Sequence, residues 1–248
     1  MRESMPRVAR FYFDGELRTG ALANLPDEAA RHSQVLRLRA GEAAVLFNGR
    51  GGEYEARVAE CGRSRVRVQV GAWHATEREA PLAVTLVQGV SSGEKMDFTI
   101  QKATELGAAA IHPVLGEKTV VRLGVARAQA KLAHWRRIAI SACEQCGRNR
   151  LPEIEPPLSV SEYCQRPHAA GSRLLLSPDA TRGLREAMAE GPAAVVIAAG
   201  PEGGFSPGEE ALLVAAGFAP VRLGPRVLRT ETAALAALAA LNALTGEF

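Results

Sequence analysis

The chain has 248 residues, of which 47% are hydrophobic and 23% are charged. This composition excludes a disordered or fibrous chain, and the length predicts one large domain or two modest ones. The net charge is only +3, but the first 78 residues hold the whole excess, with 13 arginines, no lysine and 10 acidic residues.

Residues 1–71 have the pattern of short strands separated by tight turns. Strands are predicted at residues 10–13, 43–47, 53–58 and 65–70, with an Asn48-Gly49 hairpin turn between the second and the third. A short helix is predicted over residues 26–38. Several short strands at this spacing favour a small β-barrel.

From Pro81 onward the pattern changes to strands that alternate with helices. Apolar runs predict strands at residues 83–87, 109–111, 173–176, 193–199 and 221–223, the second of them stopped by Pro113. Helices are predicted over residues 94–106, 129–146 and 230–244. Strands that are apolar throughout are typical of parallel sheets, so we expect an α/β domain after a linker near residues 76–80.

Two loops that contain glycine carry the strongest local signals. The first, Gly200-Pro201-Glu202-Gly203-Gly204, precedes Ser206-Pro207-Gly208-Glu209, which has the spacing of a capping box. The second runs from Gly224 to Arg229, and a cation just before a helix start indicates a functional demand. Parallel sheets bind ligands at the carboxyl ends of their strands, so both loops predict a ligand site, with plain strand-to-helix turns as the alternative.

Other patterns exclude several kinds of site. The segment from Gly89 to Lys95 has three residues between its glycines where a phosphate loop has four. Cys143 and Cys146 lack a second ligand pair, and the five histidines, His168 among them, have no metal spacing, so we expect no metal. There is neither a disulfide framework, nor a signal peptide, nor an apolar run of about 18 residues that could span a membrane. We therefore expect a cytoplasmic protein with no membrane partner.

The two loops together resemble the paired signatures of the RsmE family, the 16S ribosomal RNA uracil-N3 methyltransferases of the SPOUT superfamily. Further motifs of that family occur at residues 10–11, 32–37, 101–107 and 144–148. The resemblance covers essentially the whole chain. It implies a PUA-like β-barrel that binds RNA over residues 1–74, a SPOUT α/β domain with a trefoil knot over residues 75–248, and a homodimer.

The resemblance also implies S-adenosyl-L-methionine as cofactor and 16S rRNA of the small ribosomal subunit as substrate. The cofactor would lie against Leu176, Ala199, Gly200, Pro201, Glu202, Gly203, Gly204, Leu223, Gly224, Val227, Leu228, Thr230 and Ala233. Uracil N3 reacts as an anion. Arg229 would therefore stabilise charge on the flanking carbonyl oxygens, and Glu202 or Glu231 would accept the proton.

The planar guanidinium group of arginine can donate two hydrogen bonds to one phosphate, so the excess of arginine favours RNA as a partner. The candidate RNA contacts are Arg10, Arg31, His32, Arg37, Arg39, Arg148 and Arg150. A solvated, arginine-rich face explains the same charge equally well. Two other functions stay open from the sequence: methylation of a ribose 2′-hydroxyl, and a non-catalytic role in ribosome assembly.

Overall fold

The structure is a computed structural model that describes residues 8–62, 65–119, 124–167 and 170–248. His168 lies outside these ranges, and the side chain of His32 is also outside the described part. The chain divides into two compact units, Met1–Glu79 with Cys143–Leu151, and Ala80–Ala142 with Pro152–Phe248. The sequence analysis assigns residues 143–151 to the second domain, whereas they group with the first unit.

Five strands and one helix form the described part of the first unit. They are β1 (Ala9–Tyr12), β2 (Leu22–Asn24), α1 (Asp27–Val35), β3 (Ala43–Phe47), β4 (Glu53–Cys61) and β5 (Val66–His74). The sheet order is β1-β3-β4-β5-β2, in which β1 and β3 are parallel and the other neighbours antiparallel. The predicted strands are thus confirmed. Alternate valines of β5 are buried, as a period of two requires, and belong to the same core as the buried alanines of α1.

Buried charges hold residues 143–151 to the rest of this unit. The Arg10 guanidinium donates to Glu53 Oε2 at 2.6 Å and to Asn149 Oδ1 at 2.5 Å. The Arg148 guanidinium donates through Nε and Nη2 to the carboxylate of Glu79. Buried charges are tolerated only when they are paired in this way, so the network is part of the fold.

The second unit is built on a parallel sheet. Its elements are β6 (Ala83–Gly89), α2 (Gly93–Glu105), β7 (Ala110–Leu115), α3 (Val125–Cys146, whose last turn lies in the first unit), β8 (Glu153–Ile154), β9 (Leu158–Ser159), α4 (Val160–Cys164), β10 (Ser172–Leu176), α5 (Leu184–Ala187), β11 (Ala194–Ala199), α6 (Pro207–Ala215), β12 (Ala219–Val221) and α7 (Thr230–Thr245). The order is β12-β10-β11-β6-β7-β8, with β9 also on β7, and every recorded pair is parallel. The predicted α/β class is confirmed, and β6, β10, β11 and β12 end at one edge of the sheet.

Helix α7 packs against β6, β11 and α2. Ala234 and Ala237 are fully buried, and such small side chains let the helix approach its neighbours closely. Asn242 Nδ2 donates to the carbonyl of Leu106 at 2.9 Å, at the end of α2. These contacts hold α7 against the sheet and against α2. None of the described helices is long and apolar enough to span a membrane.

Three predicted boundaries are wrong. Pro113 lies inside β7 and does not stop it. On one side β7 pairs first with β8 and then with β9, and Pro113 falls in the gap between these two short strands, so no hydrogen bond is lost through its missing N–H. Strand β12 ends at Val221, because the backbone N–H of the next residue, Arg222, donates to the carbonyl of Arg182 and not to a neighbouring strand. Helix α3 begins at Val125, four residues early, in a segment rich in good helix formers.

Candidate active site

A cavity of about 590 Å³ lies at the carboxyl edge of the parallel sheet. Three loops surround it: residues 177–178 after β10, residues 200–204 after β11 (the first loop), and residues 223–229 after β12 (the second loop). A volume of this size is typical of small-molecule sites, and this edge is where parallel sheets bind their ligands.

Close backbone packing shapes the first loop. A Cβ on Gly200 would lie 2.8 Å from the backbone nitrogen of Phe205, and a Cβ on Gly89 would lie 2.3 Å from that of Pro201. No side chain fits at either position, so the loop can fold back on itself and on the end of β6 only with glycine there. The predicted capping box then starts α6, with Ser206 Oγ accepting from Glu209 N and Glu209 Oε2 accepting from Ser206 N.

Two other glycines leave backbone open to the cavity. Gly204 has φ +69° and Gly224 has φ +108°, conformations that strain residues with side chains. Nothing lies within 4 Å of the position of a Cβ at either residue, and both residues line the cavity. A ligand can therefore reach the main chain of both loops at these two positions.

One buried amide joins both loops to the sheet. Gln88, at the end of β6, is completely buried, and its Nε2 donates to Thr230 Oγ1 at 2.9 Å and to the carbonyls of Gly89 and Gly200. The Thr230 hydroxyl donates in turn to the Gly200 carbonyl. Gln88 therefore ties the start of the first loop to the start of α7. A single buried glutamine in an apolar strand gives no sequence pattern that could have indicated this role.

Glu202 is held by three donors. Its Oε1 accepts from Ser92 N at 3.1 Å, from Ser92 Oγ at 2.9 Å and from Lys95 Nζ at 3.3 Å. Burial by itself raises the pKa of Glu202, but these hydrogen bonds outweigh it and lower the pKa to about 2. The carboxylate is therefore a weak base that ties the first loop to the start of α2.

Glu231, in the first turn of α7, is in a different position. Its Oε2 is buried and has no hydrogen-bond partner among the described residues, although Glu231 lines the cavity. Arg226 and Arg229 line the same cavity, and neither guanidinium forms a hydrogen bond or ion pair with a described residue. An acceptor and two cations are therefore available to a ligand.

The predicted site residues come together. All thirteen residues expected at the cofactor and all three expected in catalysis line this one cavity. The sequence analysis missed Lys95, Ser177, Pro178, Val221 and Arg226. Ser177 and Pro178 directly follow a predicted strand, so the rule that found the two loops could have found them. Lys95 belongs to the segment that was rejected as a phosphate loop.

The candidate RNA contacts divide into two groups. Arg31, Arg37, Arg39 and Arg150 are exposed. In contrast, the side chains of Arg10 and Arg148 are only 10% and 4% exposed, and their guanidinium groups are engaged by Glu53, Asn149 and Glu79. A phosphate would have to displace these partners, so the structure gives both arginines a structural role and corrects their assignment as RNA contacts.

Cys143 and Cys146 lie on the last turn of α3. A hydrogen bond with Cys146, together with burial, raises the pKa of the Cys143 thiol, which keeps it in the unreactive protonated form. Among the described residues, no three His, Cys, Asp or Glu side chains are grouped closely enough to hold a metal ion.

Comparison with known proteins finds relatives along the whole chain. A family model described as an RNA methyltransferase domain matches residues 78–242, and one described as an RNA methyltransferase PUA domain matches residues 25–71. The ribosomal RNA small subunit methyltransferase E of Buchnera aphidicola is 33% identical over 100% of this chain and 99% of its own length. The protein of the same name from Mycobacterium tuberculosis is 36% identical over 96% of this chain and 92% of its own length.

Solved structures give the same result. A methyltransferase from Legionella pneumophila, in complex with the bound cofactor SAM, is 39% identical with a TM-score of 0.91. A ribosomal RNA small subunit methyltransferase E from Neisseria gonorrhoeae, bound to S-adenosyl methionine, is 40% identical with a TM-score of 0.89. Each match covers 96% of this chain and 98% of the other.

Proposed function

The chain belongs to the ribosomal RNA small subunit methyltransferase E family, and from this membership we propose that it methylates N3 of a uridine in 16S rRNA with S-adenosyl-L-methionine. The observation that carries the proposal is the single cavity in which both glycine loops meet beside unpaired acidic and basic side chains. The bound cofactor supplies an electrophilic methyl group, so the protein has to align the uracil and remove its N3 proton.

The residues around the cavity fit this cofactor. The open backbone at Gly204 and Gly224 would receive its polar ends, since the main chain there is free of covering side chains. Leu176, Leu223 and Val227 give the cavity an apolar surface suited to the adenosine. Gln88 ties the start of the first loop to the start of α7, and Gly200 and Thr230 both line the cavity.

Arg229 is the residue that stabilises the reacting base. Loss of the N3 proton places negative charge on the flanking carbonyl oxygens of uracil, and a guanidinium without a protein partner can donate to them. Its position at the start of α7 supports this role. A cation at a helix N-terminus interacts unfavourably with the helix dipole, so Arg229 is not there to stabilise the helix.

Glu231 is the proton acceptor in this proposal. Its buried, unpartnered oxygen needs a hydrogen-bond donor, which the N3 proton of uracil would supply. Glu202 is assigned a positioning role instead, because a carboxylate with a pKa of about 2 is too weak a base for a weakly acidic N–H.

RNA binding is assigned to the domain of residues 1–74 and methyl transfer to the domain of residues 75–248. The whole net charge of +3 lies in the first 78 residues, which supports an RNA role for that part of the chain. The working form is a homodimer in the cytoplasm, and light scattering should give twice the 26.3 kDa mass of the chain.

Arg229→Ala tests the assignment. We expect calorimetry to show an affinity for S-adenosyl-L-methionine close to that of the wild type, whereas kcat for methyl transfer to 16S rRNA falls about 100- to 1000-fold, as for removal of an oxyanion donor. Arg226→Ala is the matched control, since it removes a second unpaired cavity arginine that has no assigned catalytic role. Wild-type turnover in Arg229→Ala would contradict the assignment.

A further inference from the structure

An exposed tryptophan lies on the first unit, outside the cavity. Trp73, near the end of β5, is 52% exposed, although large aromatic side chains are usually covered. It is nevertheless fixed in place. A Cβ on Gly52 would lie 2.4 Å from the indole Nε1 and 2.7 Å from Cε2, so the ring rests directly on the Gly52 backbone.

Gly52 is suited to this contact in two ways. Its φ of +67° is a left-handed conformation that favours glycine, and any side chain would push the indole away. The backbone N–H of Gly52 donates to Glu77 Oε1 at 2.8 Å, which fixes the turn. The sequence therefore builds a rigid support for an aromatic ring that remains half open to solvent.

Arginines lie next to this support. Arg50 and Arg150 are bridged in antiparallel fashion, and both are exposed. The Arg150 guanidinium lies over Gly51, with Nη2 2.6 Å from the position of a Cβ there, and pairs with Glu77 at 3.4 Å. An indole and a guanidinium thus lie against two adjacent glycines, and we call this group of residues the Trp73 platform (Arg50, Gly51, Gly52, Trp73 and Arg150).

We propose that the Trp73 platform binds an unpaired nucleotide of the RNA substrate, with the base stacked on the indole and neighbouring phosphates held by Arg50 and Arg150. Every base has a flat face, so an aromatic ring beside cations is a common way to bind single-stranded RNA. The inference rests on the proposed function, which makes RNA the substrate, and adds where and how an unpaired segment is held.

Charge favours RNA over another protein chain on this surface. Arg50 and Arg150 outnumber the Glu77 carboxylate beside them, so this surface keeps a net positive charge and would repel the same surface of a second copy. A polyanion meets the same arginines with attraction. The occupant that fits both the cations and the flat apolar ring is therefore a nucleotide.

Tryptophan fluorescence tests the proposal directly, because the chain has only two tryptophans. Trp135 is 1% exposed, so a change in emission or in acrylamide quenching when a large ligand binds is assigned to Trp73. The probe is a single-stranded oligoribonucleotide of about 12 nucleotides, within the usual site size. We expect it to quench the emission and to protect it from acrylamide, whereas a duplex of the same sequence does neither.

Two variants give the matched comparison. Trp73→Phe keeps an aromatic face and should bind the single strand within about threefold of the wild type, whereas Trp73→Ala should lose roughly tenfold in affinity, as for removal of one stacked base. Both should bind S-adenosyl-L-methionine with wild-type affinity, because Trp73 does not line the cavity. That readout also confirms that the variants are folded.

The failures can be told apart. If Trp73→Ala binds the single strand as tightly as the wild type while methyl transfer to rRNA continues, the platform proposal is overturned and the proposed function stands. If acrylamide reaches Trp73 only after the protein is diluted below its dimerisation range, a second copy covers the ring and the platform proposal is likewise overturned. If the wild type neither binds rRNA nor methylates it, the proposed function itself is wrong.

Discussion

At the residue scale, two glutamates of one cavity differ in their surroundings. Glu202 is held by Ser92 and Lys95 and stays ionised at any pH well above 2, whereas Glu231 Oε2 is buried without a partner. We therefore propose two roles for the same type of side chain, a positioning role for Glu202 and a chemical role for Glu231. Sequence alone left the choice between them open, because Glu202 lies in the first loop and Glu231 lies just after the second, at the same edge of the sheet.

Substituting each glutamate should separate these roles. We expect Glu231→Gln to lower kcat by about 100- to 10,000-fold, the usual contribution of a general base, with little change in cofactor affinity. Glu202→Gln should instead raise the KM for S-adenosyl-L-methionine, because the first loop loses its ionic tie to Lys95.

The pH dependence of kcat provides the second measurement. Glu202 has a pKa of about 2, so its charge is constant from pH 5 to pH 9, and Glu202→Gln should leave the shape of the profile unchanged. Glu231→Gln should lower kcat at every pH in this range. A profile whose shape changes in Glu202→Gln would contradict the positioning role of Glu202.

Gln88 marks the limit of sequence reasoning at this scale. The glycine loops were found because turns and strand ends are local patterns, and the residues that the family resemblance assigned to the cofactor all line the cavity. Gln88 bonds to Gly200 and Thr230, which are 112 and 142 positions away from it in the chain. Such a contact depends on how the strands are ordered in the sheet, which no local pattern encodes.

At the scale of elements, helix α1 ends on an unusual residue. Arg37 has φ +56°, and Leu38 N donates to Ser33 O at 3.0 Å, which is the hydrogen bond of a helix that ends in a Schellman motif. Glycine is the usual residue at this position, because a side chain there costs roughly 1 kcal/mol. Arginine at this position is explained if its charge is needed for RNA.

Comparing Arg37→Gly with Arg37→Ala tests this explanation. Both remove the cation, so both should weaken rRNA binding to the same degree. Only glycine relieves the strain, so urea unfolding should find Arg37→Gly more stable than Arg37→Ala by about 1 kcal/mol. Equal stability of the two variants would show that the conformation of residue 37 is not strained.

The buried network around Glu53 ties residues 143–151 to the strands of the first unit. Burial raises the pKa of Glu53, but hydrogen bonds from Arg10, Arg78 and Asn149 outweigh it and lower the pKa below its ordinary value of 4.5. A carboxyl whose pKa is lower in the folded state stabilises the fold above its unfolded pKa. That stabilisation is lost as the pH falls through the folded pKa.

Glu53→Gln should therefore destabilise the protein most at neutral pH. Because Arg10 is left buried without its ionic partner, the expected cost is about 3 to 5 kcal/mol at pH 7, and it should shrink as the pH is lowered below 4.5. Glu60→Gln, on the same strand, removes the exposed ion pair with Arg67 and should cost less than about 1 kcal/mol. Urea unfolding at a series of pH values measures both, and equal costs would contradict a structural role for the network.

The elements themselves were largely predictable, and the errors have local causes. Alternating and continuous apolar patterns located the strands of both units, because the residues on a buried face of a strand are apolar and recur at a fixed spacing. The prediction that Pro113 ends the strand was wrong, since a strand tolerates a proline wherever no acceptor faces the missing N–H. The short strands β8 and β9 lie on one side of β7 only in the assembled sheet, so the local sequence around Pro113 does not reveal them.

At the scale of the whole molecule, sequence reasoning reached the two-part organisation but not its details. The change of pattern near Pro81 agrees with the division between the units, which lies between Glu79 and Ala80. The return of residues 143–151 to the first unit depends on pairing between distant charges, and was not foreseen. The trefoil knot and the homodimer were implied by family resemblance alone and stay predictions.

The central claim is that the cavity holds the methyl donor for reaction at uracil N3. Mass mapping of 16S rRNA after incubation with the protein and S-adenosyl-L-methionine that carries a deuterated methyl group tests it most directly. We expect one labelled uridine, with the label on the base at N3, where it blocks the pairing edge and stops reverse transcription. A label on a ribose 2′-oxygen, or none on the RNA, would contradict it.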